Sequence, residues 1–224
     1  MADVTPERPP TLIRDPEGPL ELRPPLVQHA PALVEAIQES LRELKGFMPW
    51  AHWEENNTVE AQYTRLAGQL AAYWRGEDYL YHLFDPDQER LLGCVGLHRR
   101  ALNALAVEVG YWVRTSAAGR GVCTRAVQAA LVVAFEHFEF VRVQCGFDIA
   151  NEASARVNAK VGFRIEGDLR NYGPAGTAAM RADGWRSQDL NRMTSMSPEE
   201  ARAQAWYAPT LARIELRDWL GEAL

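Results

Sequence analysis

The chain is poor in the features that mark several large classes of protein. Three cysteines in 224 residues, an odd number with no two close together, exclude a disulfide framework and a paired-cysteine metal site, and leave reduced thiols as the plain reading. The longest unbroken apolar run, 129–135, is far short of the roughly 20 residues that cross a bilayer, and no basic-then-apolar segment opens the chain. Cations are not in excess: 24 Lys and Arg stand against 30 Asp and Glu, a formal charge of -6. That balance disfavours nucleic acid and anionic membrane as principal partners, because clustered Lys and Arg hold both. His29, His52, His82, His98 and His137 are scattered without ligand spacing, so no metal is expected. No internal repeat is present. These absences together lead to the expectation of a soluble, cytoplasmic protein.

What the chain does contain suits one globular domain, with 47% hydrophobic and 24% charged residues. Five of the 13 prolines fall within 1–19, which reads as an irregular N-terminal arm. A short strand at 20–23 then precedes a helix marked by Leu33, Ile37, Leu41 and Leu44. An aromatic connection holding Trp50 and Trp53 leads to a second helix, on which Val59, Tyr63, Leu66, Leu70, Tyr73 and Trp74 share a face. Runs at 79–84, 91–97 and 106–114 read as an antiparallel meander, with turns at Asp85-Pro86-Asp87 and Leu102-Asn103-Ala104. Val127, Leu131, Phe135 and Phe138 mark a long buried helix. A strand at 141–147, a helix carrying Ala153, Val157 and Val161, and a strand at 163–167 follow. A last strand is expected at 185–195, and Ser197, Pro198 and Glu200 form a capping-box start for a C-terminal helix through Trp206. The expected organisation is thus an arm (1–19), a domain (20–196) and a helical extension (197–224) whose Trp206, Tyr207, Ile214, Trp219 and Leu220 pack on the domain or on a second subunit of a homodimer.

The segment that carries most chemistry joins the end of a strand to the start of an apolar-faced helix: Val113-Arg114-Thr115-Ser116-Ala117-Ala118-Gly119-Arg120-Gly121-Val122-Cys123-Thr124. Unpaired N–H groups at a helix N-terminus attract anions, and glycines let the main chain approach a pyrophosphate closely. Arg120 adds a positive charge and Thr124 a hydroxyl. A tight strand-to-helix turn uses the same glycines, so the loop alone leaves both readings open. No Gly-Lys-Ser/Thr follows, which disfavours a nucleotide triphosphatase, and the third glycine of a dinucleotide fingerprint is missing.

Asn151, Ser154 and Asn158, at i, i+3 and i+7, share one helix face, apart from the apolar face of Ala153, Val157 and Val161. An uncharged polar stripe of this kind can line a ligand cleft. Asn151 also suits a plain helix N-cap, with the other two solvated. Glu152 and Arg156 read as an ordinary exposed pair.

In order and spacing, three stretches resemble the GNAT superfamily of acyl-CoA-dependent N-acetyltransferases, in the branch of the ribosomal-protein N-terminal acetyltransferases RimJ and RimL. They are Val107-Glu108-Val109-Gly110-Tyr111-Trp112-Val113, then Gly119 to Ala126, then Asn151-x-x-Ser154 leading to Lys160-Val161-Gly162-Phe163. Phe47-Met48-Pro49-Trp50 resembles the branch's substrate-side loop, with Trp50 the candidate pocket residue. The resemblance covers about 20–196. It implies an α+β fold whose mixed, mainly antiparallel central sheet is splayed at a bulge and flanked by helices.

It further implies acetyl-CoA as co-substrate, with no metal. Main-chain groups of Trp112, Val113 and Arg114 would pair with pantetheine. Gly119, Arg120, Gly121, Val122, Cys123 and Thr124 would surround the pyrophosphate, and Asn151, Ser154 and Asn158 would reach the arm near its thiol. An amine would attack the thioester directly, with Glu108 taking the ammonium proton and Ser154 serving the leaving sulfur. The acceptor would be a protein N-terminus or a small-molecule amine.

Three positions depart from the family pattern. Ala118 stands where Gln or Arg is usual, Cys123 where Gly or Ala is usual, and Asn158 where related enzymes often carry tyrosine. A thiol mechanism through Cys123 would need a base beside it, and no histidine is near in sequence. The departures keep two alternatives open, a non-catalytic acyl-CoA-binding module and a transferase for a larger acyl group such as succinyl. Acceptor choice is assigned to the connection between the first two helices and to 171–184.

Overall fold

The computed structural model describes residues 8–53, 57–99, 105–173 and 175–224. In chain order the elements are β1 (Leu12–Asp15), β2 (Leu20–Arg23), α1 (Ala30–Leu44), α2 (Val59–Trp74), β3 (Asp78–Asp85), β4 (Arg90–His98), β5 (Ala106–Val113) and α3 (Val122–Val132). They continue with β6 (Arg142–Asp148), α4 (Glu152–Val161), β7 (Arg164–Arg170), α5 (Ala178–Ala182), β8 (Leu190–Met196), α6 (Pro198–Arg202), α7 (Tyr207–Arg213) and β9 (Glu215–Arg217). Among the described residues the strands form one sheet in the order β7-β8-β6-β5-β4-β3-β2-β1-β9. Among the described residues only β5 and β6 pair in parallel.

Local chemistry explains several boundaries. Thr58 caps α2 by accepting the Ala61 N–H at 3.2 Å. Asp85 turns β3 into β4 by accepting the N–H groups of Asp87 and Gln88 at 3.0 and 3.3 Å. Ser197 and Glu200 form the reciprocal capping box that opens α6. α3 is apolar on nearly every side, with Val122, Ala126, Val127, Ala129, Ala130, Leu131 and Val132 buried, so it lies under one face of the sheet with Tyr79, Tyr81, Leu83, Val95 and Leu97. On the other face Leu33 and Ile37 of α1 and Leu66 of α2 cover Phe84, Leu91 and Cys94. Emptying such a position, as in Leu131→Ala, costs about 2–5 kcal/mol.

Four elements differ from the sequence reading. The expected irregular arm contains β1, which pairs with β2 on one side and β9 on the other and buries Ile13 completely. Residues 1–7 of that arm, and the turn expected at 102–104, lie outside the described residues. The last domain strand starts at Leu190 rather than at 185, because α5 and its connection occupy the preceding stretch. The C-terminal extension is two short helices and a strand rather than one helix, and that strand completes the sheet beside β1. On α2, Tyr63 and Trp74 are 46% and 45% exposed, so only part of the expected aromatic face is core.

The feature that makes a site is the divergence of β5 from β6. Their parallel ladder runs only from Ala106 to Glu108, opposite Arg142 to Gln144. Beyond it β5 keeps its antiparallel partner β4 as far as Val113, and β6 keeps β8 as far as Asp148. Both strands are satisfied on their outer sides, so alternate main-chain groups of 109–113 face a widening gap and need a partner there. The β3–β4 ladder carries a bulge: Leu83 pairs with Gly93 and Phe84 with Leu91, leaving Leu92 of β4 as the extra residue. Glycine is required beside it, because a Cβ at Gly93 would lie 2.1 Å from the Trp112 carbonyl oxygen. Among the described residues, no helix is long and apolar enough to cross a membrane.

Candidate active site

The gap between β5 and β6 opens into a cavity of about 610 Å³. Its walls are Glu108 to Val113 of β5, Ala117 to Gly119 and Gly121 to Thr124, Cys145 to Asp148 of β6, and Asn151, Ser154, Val157 and Lys160 at α4. Phe47, Met48, Trp185 and Arg186 close the far side. Strand edges, a helix N-terminus and a polar helix stripe therefore converge on one space, in the size range of small-molecule sites.

At one end, Gly119 and Gly121 have φ of 74° and 80°, and Gly121 is the residue before the first turn of α3. No side chain caps that turn. The N–H groups of Val122, Cys123 and Thr124 thus belong to the unpaired set of an eleven-residue helix at the cavity wall, with the positive end of the helix dipole behind them. Ala118, Gly119, Gly121, Val122, Cys123 and Thr124 all line the cavity, whereas Arg120 does not and is exposed.

Trp112 and Val113 line the cavity as expected, but Arg114 does not. Its N–H is taken by the Leu92 carbonyl at 2.7 Å. Its side chain, 2% exposed, turns to the opposite face of the sheet, where Glu35 and Glu39 of α1 and the Leu91 carbonyl hold the guanidinium. The resemblance gives Arg114 a main-chain contact with pantetheine, whereas here its N–H is engaged with β4 and its carbonyl accepts the Ala117 N–H at 2.9 Å.

The α4 stripe divides in a similar way. Asn151 is the N-cap, accepting the Ser154 N–H at 3.1 Å, and it lines the cavity with Ser154. Asn158 is 3% exposed and is not part of the wall. Its Nδ2 donates to Tyr111 Oη at 2.8 Å and to the Ser154 carbonyl at 3.1 Å, and its Oδ1 accepts from Thr194 Oγ1 at 2.7 Å. Tyr111, which the sequence reading gave no side-chain role, brings its hydroxyl to 2.8 Å from Ser154 Oγ. Burial pushes that hydroxyl far above the usual tyrosine range, so it stays protonated.

Glu108 lies at the mouth of the divergence, with Gln144 Nε2 at 3.4 Å from one of its carboxylate oxygens. Asp148, at the end of β6, is buried and accepts from Ser187 Oγ at 2.6 Å and from the N–H groups of Gln188 and Ala150 at 3.0 and 2.9 Å. It pins the stretch before β8 against the cavity. Arg156, read from sequence as only half of an exposed pair, bonds Glu152 at 3.2 Å and also lines the wall, together with Lys160. Its i, i+4 spacing to Lys160 was the available signal.

The two segments assigned to acceptor choice meet. Asp183 Oδ2 lies 2.6 Å from Lys45 Nζ and 3.1 Å from His52 Nδ1, and the Arg186 N–H bonds the Gly46 carbonyl at 2.9 Å. The Lys45 ammonium beside Asp183 holds its carboxyl below the usual range. Trp50 stands behind this wall rather than in it, packed 6.1 Å from the Trp112 ring, while Phe47 and Met48 face the cavity.

Burial pushes the Cys123 thiol up to about 12 and the Cys145 thiol to about 11, so both walls carry neutral thiols rather than nucleophilic thiolates. Among the described residues no three His, Cys, Asp or Glu side chains are grouped to share a metal ion.

A splayed sheet with a glycine-bracketed helix N-terminus at the head of the split defines an acyl-CoA-type transferase fold. Residues 19–164 match the family model described as Acetyltransferase (GNAT) domain, and the chain belongs to that family. Among curated relatives, the Bacillus subtilis (strain 168) protein named Probable N-acetyltransferase YjcK is 32% identical over 114 residues. That match spans 50% of this chain and 63%, under two thirds, of the relative. The Escherichia coli (strain K12) ribosomal-protein-serine acetyltransferase is 26% identical over 152 residues, 67% of this chain and 82% of that protein. Among solved structures, Mycobacterium smegmatis RimJ in complex with CoA-disulfide superposes with a TM-score of 0.74 at 23% identity, covering 91% of this chain and 94% of that one.

Proposed function

We propose that this chain transfers the acetyl group of acetyl-CoA to a primary amine, with a protein N-terminus as the favoured acceptor. The observation that carries the reading is the divergence of β5 from β6 directly ahead of the uncapped α3 N-terminus. The pyrophosphate would lie on the N–H groups of Gly119, Gly121, Val122, Cys123 and Thr124, with Lys160 and Arg156 on the facing helix. The pantetheine arm would follow Trp112 and Val113 as an added strand, which places the thioester near Ser154.

The acceptor amine must arrive neutral. Glu108 takes the ammonium proton, directly or through water, and the nitrogen attacks the thioester carbonyl. A C–N bond forms and the C–S bond breaks; the sulfur leaves as a thiolate that Ser154 hydrogen-bonds, and the second proton given up by the acylated nitrogen ends on that sulfur, directly or through water. The neutral thiols of Cys123 and Cys145 support direct attack over an acyl-cysteine intermediate. A protein N-terminus is supported by the ribosomal-protein acetyltransferase among the relatives; a small-molecule amine is the alternative acceptor.

Three free cysteines support a reducing, cytosolic setting. The proposed homodimer would use the exposed Trp219, Leu220 and Leu224, and sedimentation tests it. For the chemistry, Glu108→Gln should lower kcat roughly 100-fold with little change in the KM for acetyl-CoA. An unchanged kcat would remove Glu108 from the mechanism.

A further inference from the structure

We propose that Tyr111 is the positioning residue that aims the Ser154 hydroxyl at the sulfur of coenzyme A. The inference rests on the reading of Ser154 given above and deepens it. Four residues from three elements meet at the floor of the cavity: Tyr111 from β5, Ser154 and Asn158 from α4, and Thr194 from β8 behind them. Beyond the end of the β5–β6 ladder, Tyr111 of β5 lines the cavity and brings its hydroxyl to Ser154 of α4.

The direction of the protons follows from the partners. The Ser154 carbonyl can only accept, so the Asn158 group 3.1 Å from it is the amide NH2, and the Asn158 carbonyl oxygen faces Thr194 Oγ1. The same NH2 donates to Tyr111 Oη at 2.8 Å, occupying one lone pair of the phenol. Tyr111 then has its own proton to place. Ser154 Oγ at 2.8 Å is the better acceptor than the Ser154 carbonyl at 3.4 Å. With Ser154 Oγ accepting from Tyr111, the serine proton is left to point into the cavity. The chain Asn158 to Tyr111 to Ser154 therefore ends in a donor fixed where a thiolate would appear, and it does so with the usual α4 tyrosine replaced by Asn158. The tyrosine keeps its proton throughout, so nothing needs to restore it between turnovers.

The test needs no acceptor. Affinities of coenzyme A and of desulfo-coenzyme A are measured calorimetrically at about pH 9.5, a unit above the ordinary cysteine value, so that the thiolate form of the ligand is populated. The wild-type protein should bind coenzyme A roughly tenfold more tightly than the desulfo compound, the worth of one hydrogen bond to a charged group. Ser154→Ala should abolish that ratio, and the nearly isosteric Tyr111→Phe should bring it within about twofold of the Ser154→Ala value, with no further loss in the double variant. A full ratio in Tyr111→Phe beside a lost ratio in Ser154→Ala would overturn the role of Tyr111 and leave the proposed function standing. A ratio unmoved by Ser154→Ala would overturn the assignment of Ser154 itself, and this inference with it.

Discussion

Glu39 of α1 accepts Arg114 Nε at 2.9 Å through one carboxylate oxygen and the Ser116 N–H at 2.8 Å through the other. One side chain thus holds both the buried guanidinium and the main chain of the segment that leads to the α3 N-terminus. Ser40 adds a second hold by accepting the Thr115 N–H at 3.0 Å. The Arg114 guanidinium holds the Glu39 carboxyl down at about 2. A carboxylate depressed in the folded state stabilises the fold at pH above its ordinary value of about 4.5, and that contribution is lost as pH falls toward 2. Glu39→Gln should therefore cost about 1–3 kcal/mol at neutral pH, raise the KM for acetyl-CoA more than it lowers kcat, and flatten the stability profile across that window. Denaturant unfolding from pH 7 to pH 2 beside steady-state kinetics checks all three.

His29 and His82 form a buried pair outside the cavity wall, with Nδ1 atoms 3.0 Å apart. Burial lowers His29 to about 4 and His82 to about 3, so both are neutral in the fold. The unfolded chain takes up these protons first, near the ordinary histidine value of 6.5, and stability must decline as pH falls from there toward 4. Replacing both with leucine should remove part of that slope, read from urea midpoints at pH 7, 6 and 5.

Arg213 at the end of α7 grips Asp15 of β1 through two bonds, at 2.7 and 3.0 Å, and Asp15 is 2% exposed. Arg213→Met would strand a buried carboxylate, and the expected loss is about 3 kcal/mol. Asp15→Asn in the same background should recover part of it, which a double-mutant cycle in urea measures.

Gly121 has φ of 80° with nothing within 4 Å of an added Cβ, so its requirement is conformational rather than steric. Gly121→Val should cost about 1 kcal/mol or more and weaken acetyl-CoA binding, whereas Gly121→Asn, which tolerates the left-handed region, should retain more of both. Thermal melts and calorimetry separate the two variants.

The readable parts of the site were local in sequence. Strand β5, the loop and α3 follow one another within 106–132, and the glycines at 119 and 121 declare their own backbone geometry. The helix spacing of Asn151, Ser154 and Asn158 gave a shared face, but not that Asn158 would be buried against Thr194, 36 residues away. The burial of the Arg114 side chain was not legible because the carboxylates that hold it lie 75 and 79 residues earlier. Tyr111 had no side-chain role in sequence because its partner Ser154 is 43 residues on, across a gap that periodicity cannot reveal. β1 was missed for the same reason on a larger scale. Four residues between prolines carry little pattern, and their outer partner β9 comes some 200 residues later.

The most direct test is coenzyme A release from acetyl-CoA over a panel of N-terminal peptides, polyamines, amino acids and aminoglycosides, with mass detection of the products. The account predicts an acetylated amine in at least one class, with N-terminal peptides foremost, and loss of that product in Glu108→Gln. Tight binding of acetyl-CoA with no acetyl transfer to any member of the panel would contradict it.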